Sequence, residues 1–293
     1  MSILQVKHKT IYNYNKPVSF GDHRLMSRPR DSHDLRLLDT ALTISPPAAS
    51  VRWIHDVFGN SIAIASFGEA VASQLVFEST FRAEHYPAAV PQIVLEDYAQ
   101  KLPFSYPVEE IPDLGRRAEL HYPDPDHVLD LWARGFIDRT QSRDTMEVLL
   151  AMNNTIKAEF GYARRDEEGT QSPVDTLNNK TGSCRDFAVL MMEGARSLGM
   201  AAEFVSGYLY DEKLIGAQGG LVGGGETHAW LQVYLPGAGW VEFDPTNGLV
   251  GGQNLIRVAV ARDAAQAVPI AGSFIGEPGS FAGLSVNVEV TAE

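Results

Sequence analysis

A chain of 293 residues, 44% of them hydrophobic and four of them tryptophan, is long enough to fill one large core or two ordinary ones. Its formal charge of −13 and pI near 5.0 disfavour a phosphate-backbone partner, which needs concentrated Lys and Arg, and its single cysteine excludes an intrachain disulfide. The opening MSILQVKHKT lacks the apolar run of a secretory signal and no segment is of membrane-spanning length, so the cytoplasm is the expected compartment, with neither nucleic acid nor membrane as partner.

Residues 1 to about 86 read as strands. Val6, His8, Thr10, Tyr12 and Tyr14 alternate with Lys7, Lys9, Ile11 and Asn13; Leu35 to Ile44 is a second run, followed by VRWIHDV, Ser61 to Ser66 and SQLVFESTFRAEHY, with turn residues between. Short strands at this spacing predict an antiparallel β-sandwich domain over residues 1–90. Seven prolines from Pro87 to Pro125 predict a surface linker over residues 91–125. Residues 126–293 then form the expected α+β core, beginning with two amphipathic helices. The first is DHVLDLWARGF; the second starts near Ser142 and Asp144 and runs to about Phe160. Ser172-Pro173 caps a short helix through about Asn179.

The next stretch carries the chemistry. Phe187, Leu190, Met191, Gly194, Ala195 and Leu198 repeat at helical spacing, with Gly199 placed to end the helix. Ser183 and Asp186 form a variant capping box, which makes Cys184 the first helical residue, beside unpaired backbone N–H groups that favour an anion. A thiol there, with an imidazole nearby, suits a nucleophile better than a buried apolar filler. Gly182 permits the tight entry such a position needs. Beyond the helix, AAEFVSGYLY is a strand, and the glycine-rich Asp211–Glu226 stretch lacks the Lys-Ser/Thr of a phosphate loop, so it reads as a connection that could also rim a site.

HAWLQVYL and GWVEFDP read as two strands of a hairpin. A three-residue loop over Pro236, Gly237 and Ala238 sets His228 opposite Thr246 and makes Asp244 its diagonal neighbour on the same face. A two- or four-residue closure throws His228 and Asp244 onto opposite faces, so the odd loop is predicted. Asp244 would then orient the imidazole of His228, and the imidazole would take the proton of Cys184. NLIRVAVARD fits a strand or a short helix equally. Leu284, Val286, Val288 and Val290 alternate with polar residues as a closing strand.

The strings GSCRDFA, AAEFVSGYLY and THAWLQVYLPGAGWVEFDPTNGL resemble the catalytic core of the transglutaminase-like superfamily, specifically its bacterial members with an extra N-terminal β domain; HKTIYNYNKPVSFGDHRLMSRPR is similar to that domain. The resemblance implies a papain-like α+β core, with helices packed on an antiparallel sheet that includes the closing strand, and a catalytic triad at Cys184, His228 and Asp244. It leaves open whether the chain is a cysteine protease or a protein cross-linker. The expected activity is acyl transfer on a peptide or glutamine carboxamide through a thioester, a peptidase or amidase ahead of a cross-linking transglutaminase. A binding protein that merely keeps the fold is the rival reading. The expected partner is a peptide or protein substrate, with no cofactor. No metal is expected either: the histidines form no ligand pattern, and His121 to His127, broken by two prolines, reads as a polar loop. The backbone N–H of Cys184 is one oxyanion donor, and Tyr162, Gln171 and Asn178 are weak candidates for a second.

Overall fold

The computed structural model describes residues 2–86, 93–140, 143–165, 168–210, 221–223 and 225–292. The N-terminal part holds β1 (Ser2–Phe20), β2 (His23–Arg28), β3 (Leu35–Ser45), β4 (Ser50–His55), β5 (Ser61–Ser66) and β6 (Val71–His85). In β1 the alternation predicted from the sequence becomes burial of Leu4, Val6, His8 and Thr10. β6 lies between β1 and β3 in one antiparallel sheet, and β5 lies between β2 and β4 in another. Tyr14, Phe20, Leu25, Phe67 and Phe77 meet between the two sheets as a core of their own, which gives the predicted sandwich.

From residue 93 the linker wraps over the core rather than standing off it. It carries a short α-helix, α1 (Glu110–Leu114), with 3-10 turns at Asp97–Ala99 and Gly115–Ala118, and is fastened by Tyr106, whose hydroxyl donates to the Tyr234 carbonyl and accepts from the Ala201 N–H. The helices follow as read: α2 (Val128–Thr140), then α3 (Thr145–Glu159), whose N-cap is Asp144, accepting from the Glu147 N–H. Ser142 lies outside the described residues. A two-residue strand, β7 (Gly161–Tyr162), precedes α4 (Pro173–Asn179), and Ser172 caps that helix by accepting from Asp175 N–H. β8 (Thr181–Gly182) pairs parallel with β7 and delivers the chain to α5 (Cys184–Ser197).

α5 is buried almost all round, as an apolar helix at the centre of a core should be. Two of its three buried charges neutralise each other: Arg196 pairs with Glu193, Glu193 also accepts from the N–H groups of His121 and Tyr122, and Arg196 donates to the carbonyls of Arg117, Ala202 and Arg262. Past the turn at Gly199 come β9 (Ala202–Leu209), β10 (His228–Leu235), β11 (Gly239–Asp244), β12 (Leu249–Val250) and β13 (Leu255–Ala261), so the ambiguous NLIRVAVARD is a strand. They form one antiparallel sheet in the order β12-β11-β10-β9-β13. α5 packs on β10 of this sheet, and Ala188, Leu190, Met191, Leu231 and Val233 belong to one buried apolar cluster.

The closing strand corrects an expectation. β14 (Ile270–Ala271), β15 (Phe274–Ile275) and β16 (Phe281–Ala292) leave the core: β14 pairs with β2, and β15 and β16 pair with β1, the latter from Leu4 opposite Ala292 to Tyr14 opposite Phe281. From Ile270 the chain returns to the N-terminal sheets. β1 explains why. It is 19 residues long, β6 covers one edge, and its other edge would be a long unpaired template without β16.

Candidate active site

The site is built from two local devices. At the start of α5 the chain passes so close to its own helix that a Cβ on Gly182 would lie 2.9 Å from the Asp186 Cβ and 3.2 Å from the Phe187 ring. Asp186, fully buried, then locks the entry: its Oδ2 accepts from both the N–H and the hydroxyl of Ser183, at 2.8 Å each, and its Oδ1 accepts from Arg165 Nη1 at 2.8 Å and the Gln171 N–H at 2.7 Å. Cys184 is thereby held as the first residue of the helix, 7% exposed, among N–H groups with no carbonyl of their own helix to bond.

The second device is the hairpin. Leu235 opposes Gly239, Tyr234 opposes Trp240 and Leu231 opposes Phe243, so the closure is the predicted three-residue loop over Pro236, Gly237 and Ala238. In that register His228 and Asp244 share a face, and His228 Nε2 lies 2.8 Å from Asp244 Oδ2. A carboxylate only accepts, so Nε2 carries the hydrogen. Asp244 Oδ1 accepts from the N–H groups of Thr246 and Asn247, and Oδ2 accepts again from Asn247 Nδ2 at 2.8 Å. Trp230 stacks on the imidazole at 5.9 Å between ring centres.

The electrostatics follow from burial and pairing. Burial alone would pull the His228 pKa down, but the charge and hydrogen bond of Asp244, followed by those of Cys184, overcome it and lift the imidazole to about 10. Burial likewise pushes Asp244 upward, yet the His228 charge and hydrogen bond, with help from Asn247 and the Thr246 N–H, hold it below the usual carboxylate range. His228 Nδ1 is buried without a regular hydrogen bond, while Cys184 is close enough to act on the ring. Of the three residues singled out from the sequence, His228 and Asp244 are hydrogen-bonded to each other, and Cys184 stands at the start of α5.

Of the second-donor candidates, Gln171 is occupied as a brace. Its Nε2 donates to the Thr181 carbonyl at 3.0 Å, and its Oε1 accepts from Asn179. Asn178 is exposed. Tyr162, paired with Gly182 through β7 and β8, has its phenol pushed up to about 12 by burial and then by the charges of Cys184 and Glu226. Residues 211–220 and 224 of the glycine-rich stretch lie outside the described residues; in its described part Glu226 pairs with Arg164. His121 faces Asp263 and Arg262. Asp186 as an acceptor for Arg165 and Gln171, Trp230 as the stacking partner and Asn247 as a donor to Asp244 all escaped the sequence reading. Only the Asp-Pro-Thr-Asn turn hinted at the last.

Comparison with known proteins bears on the family and the fold. A profile described as the bacterial transglutaminase-like N-terminal region matches residues 4–84, and one for the transglutaminase-like superfamily matches residues 133–245. An uncharacterized protein of Mycobacterium tuberculosis is 28% identical over 279 residues, covering 92% of this chain and 86% of its own. An uncharacterized protein of Mycobacterium leprae is 36% identical over 120 residues, and that match covers 41% of each chain. A solved structure of a "Putative Cysteine Protease from Cytophaga hutchinsonii" superposes with a TM-score of 0.70 at 20% identity, over 99% of this chain and 90% of that one, so the two share a fold. Among the described residues no helix is long and apolar enough to cross a membrane.

Proposed function

Since this chain belongs to the transglutaminase-like superfamily, we propose that it is a thiol-dependent acyl-transfer enzyme, acting on peptide or glutamine carboxamide bonds with Cys184 as nucleophile, His228 as base and acid, and Asp244 as orienting carboxylate. The observation that carries the reading is the 2.8 Å His228–Asp244 hydrogen bond, made through Nε2, which leaves Nδ1 buried without a regular hydrogen bond while Cys184 acts on the same ring. A fold kept only for binding gains nothing from an imidazole so arranged beside a thiol at a helix start.

In this mechanism the sulfur attacks the carbonyl carbon while the imidazole holds the proton, and the C–N bond breaks as His228 gives that proton to the departing amine or ammonia. The thioester is then opened by water, whose proton His228 takes up, releasing the acid and restoring the thiol side chain. Developing negative charge on the carbonyl oxygen meets the backbone N–H of Cys184 at the start of α5. Hydrolysis is favoured over transfer to a lysine amine in this proposal, and the cytoplasm, where a lone thiol stays reduced, is its compartment. The test is release of ammonia or a new amine terminus from glutamine-containing peptides by the wild type and by Cys184→Ala. Turnover by Cys184→Ala would sink the mechanism. An added primary amine incorporated in place of water would assign the cross-linking branch instead.

A further inference from the structure

Asn247 is 4% exposed and spends its whole side chain on two neighbours. Its Oδ1 accepts from the Val222 N–H at 2.8 Å, while Nδ2 donates to the Val222 carbonyl at 3.1 Å and to Asp244 Oδ2 at 2.8 Å. Exchanging oxygen and nitrogen would set the amide NH2 against an N–H and the oxygen against a carboxylate, so the network permits one orientation only. The oxygen of Asp244 it serves is the one that accepts from His228.

The segment it grips lies on the imidazole. A Cβ built on Gly223, whose φ is +98°, would fall 2.7 Å from His228 Nδ1, so the backbone there covers the ring nitrogen that Asp244 does not hold. Leu221 is anchored on the other side of Val222, against the apolar cluster that includes Trp230 and Leu255.

From these contacts we propose that Asn247 is a positioning residue: it aligns Asp244 with the imidazole and fastens Leu221–Gly223 over Nδ1, keeping water from the pair. The assignment rests on the acyl-transfer reading above and specifies what holds its machinery in register. The titratable groups around the imidazole are Asp244 on β11, Cys184 on α5, and, toward Cys184, Tyr162 with the Arg164–Glu226 pair. Asn247 adds no charge to them, so removing it changes alignment and cover without changing the count of charges.

The test follows the rate of Cys184 alkylation by iodoacetamide against pH, together with amide hydrogen exchange over residues 221–226, in the full chain. Slower alkylation of His228→Ala than of wild type at neutral pH establishes the working thiol–imidazole pair. In Asn247→Ala the inflection of the alkylation profile moves up by about one pH unit, a rate loss of roughly tenfold below it, and the Val222 amide exchanges faster. A role confined to folding would lower the unfolding midpoint and leave the inflection where it was. An inflection or an exchange rate equal to wild type in Asn247→Ala, with His228→Ala slowed as expected, overturns the assignment alone. A His228→Ala protein that alkylates as fast as wild type overturns the acyl-transfer reading and this inference with it. Should Asn247→Ala fail to fold by circular dichroism, Asn247→Ser, too short to reach Val222 and Asp244 together, carries the same two expectations.

Discussion

Replacing Asp244 by Asn should destabilise the protein in a way that depends on pH and disappears at alkaline pH. The comparison is cleanest in a Cys184→Ala background, where no thiol titration overlies that of the imidazole. His228 has its pKa raised from 6.5 to about 10, against the pull of burial, by Asp244 and then by Cys184; without the sulfur the folded value falls somewhat short of 10. A group whose folded pKa is raised contributes stability in full below its unfolded value, about 6.5, and loses it as pH climbs to the folded value, at about 1.4 kcal/mol per pH unit. With Asn in place of Asp the buried imidazole has no counter-charge and titrates below 6.5, so the variant gains nothing further across that window. Breaking a buried pair costs about 3–5 kcal/mol. The difference between Cys184→Ala and the double variant should therefore be of that size near pH 6.5 and fall toward zero by pH 9.5. Urea unfolding followed by tryptophan fluorescence at pH 6.5, 8 and 9.5 measures it. A difference that stays constant across the three would mean the charged pair is not what Asp244 stabilises.

Leu190→Ala, at a fully buried position on α5, should cost about 2–5 kcal/mol in urea unfolding without moving the inflection of Cys184 alkylation. Asp186→Ala leaves the Ser183 and Gln171 N–H groups without their acceptor and removes the ion pair with Arg165; a loss of about 3–5 kcal/mol and a slower alkylation of Cys184 are expected, and an alkylation rate equal to wild type would show that the cap does not position the thiol. Truncation after Ser280 removes β16 and bares the edge of β1 from Leu4 to Tyr14, so the shortened protein should self-associate in analytical ultracentrifugation; a stable monomer would refute the edge-covering role. Arg257 ties Glu242 of the core sheet to Asp34 of the N-terminal part. Glu242, already raised by burial, rises further in Arg257→Leu, and an acid with a raised folded pKa loses stability as pH climbs above its unfolded value, so the variant should suffer more at pH 8 than at pH 4 in thermal melts.

That Asp34–Arg257–Glu242 tie continues inward, because Trp230 Nε1 donates to Glu242 Oε1 and the same indole stacks on His228. The N-terminal sandwich is thus connected to the imidazole through three side chains. Packing supports the same join: Tyr208 of β9 bonds the buried His8 of β1, whose pKa burial lowers to about 4.

Local patterns were legible because each is decided within a few residues. Ser183 and Asp186 specify where α5 starts, so Cys184 could be placed at its first turn from the sequence alone. Strand alternation and the parity of the Pro236–Ala238 loop together dictate that His228 and Asp244 share a face, since one residue more or less would reverse every side chain. What the chain order could not disclose is which edge a strand joins. Residues 281–292 alternate in the same way whichever sheet they enter, and only the length of unpaired β1, almost the whole chain away in sequence, decides that they return to it. Asn247 was invisible for the same reason: its grip on Val222 depends on a contact across the fold, where the backbone of one segment happens to lie over the imidazole of another.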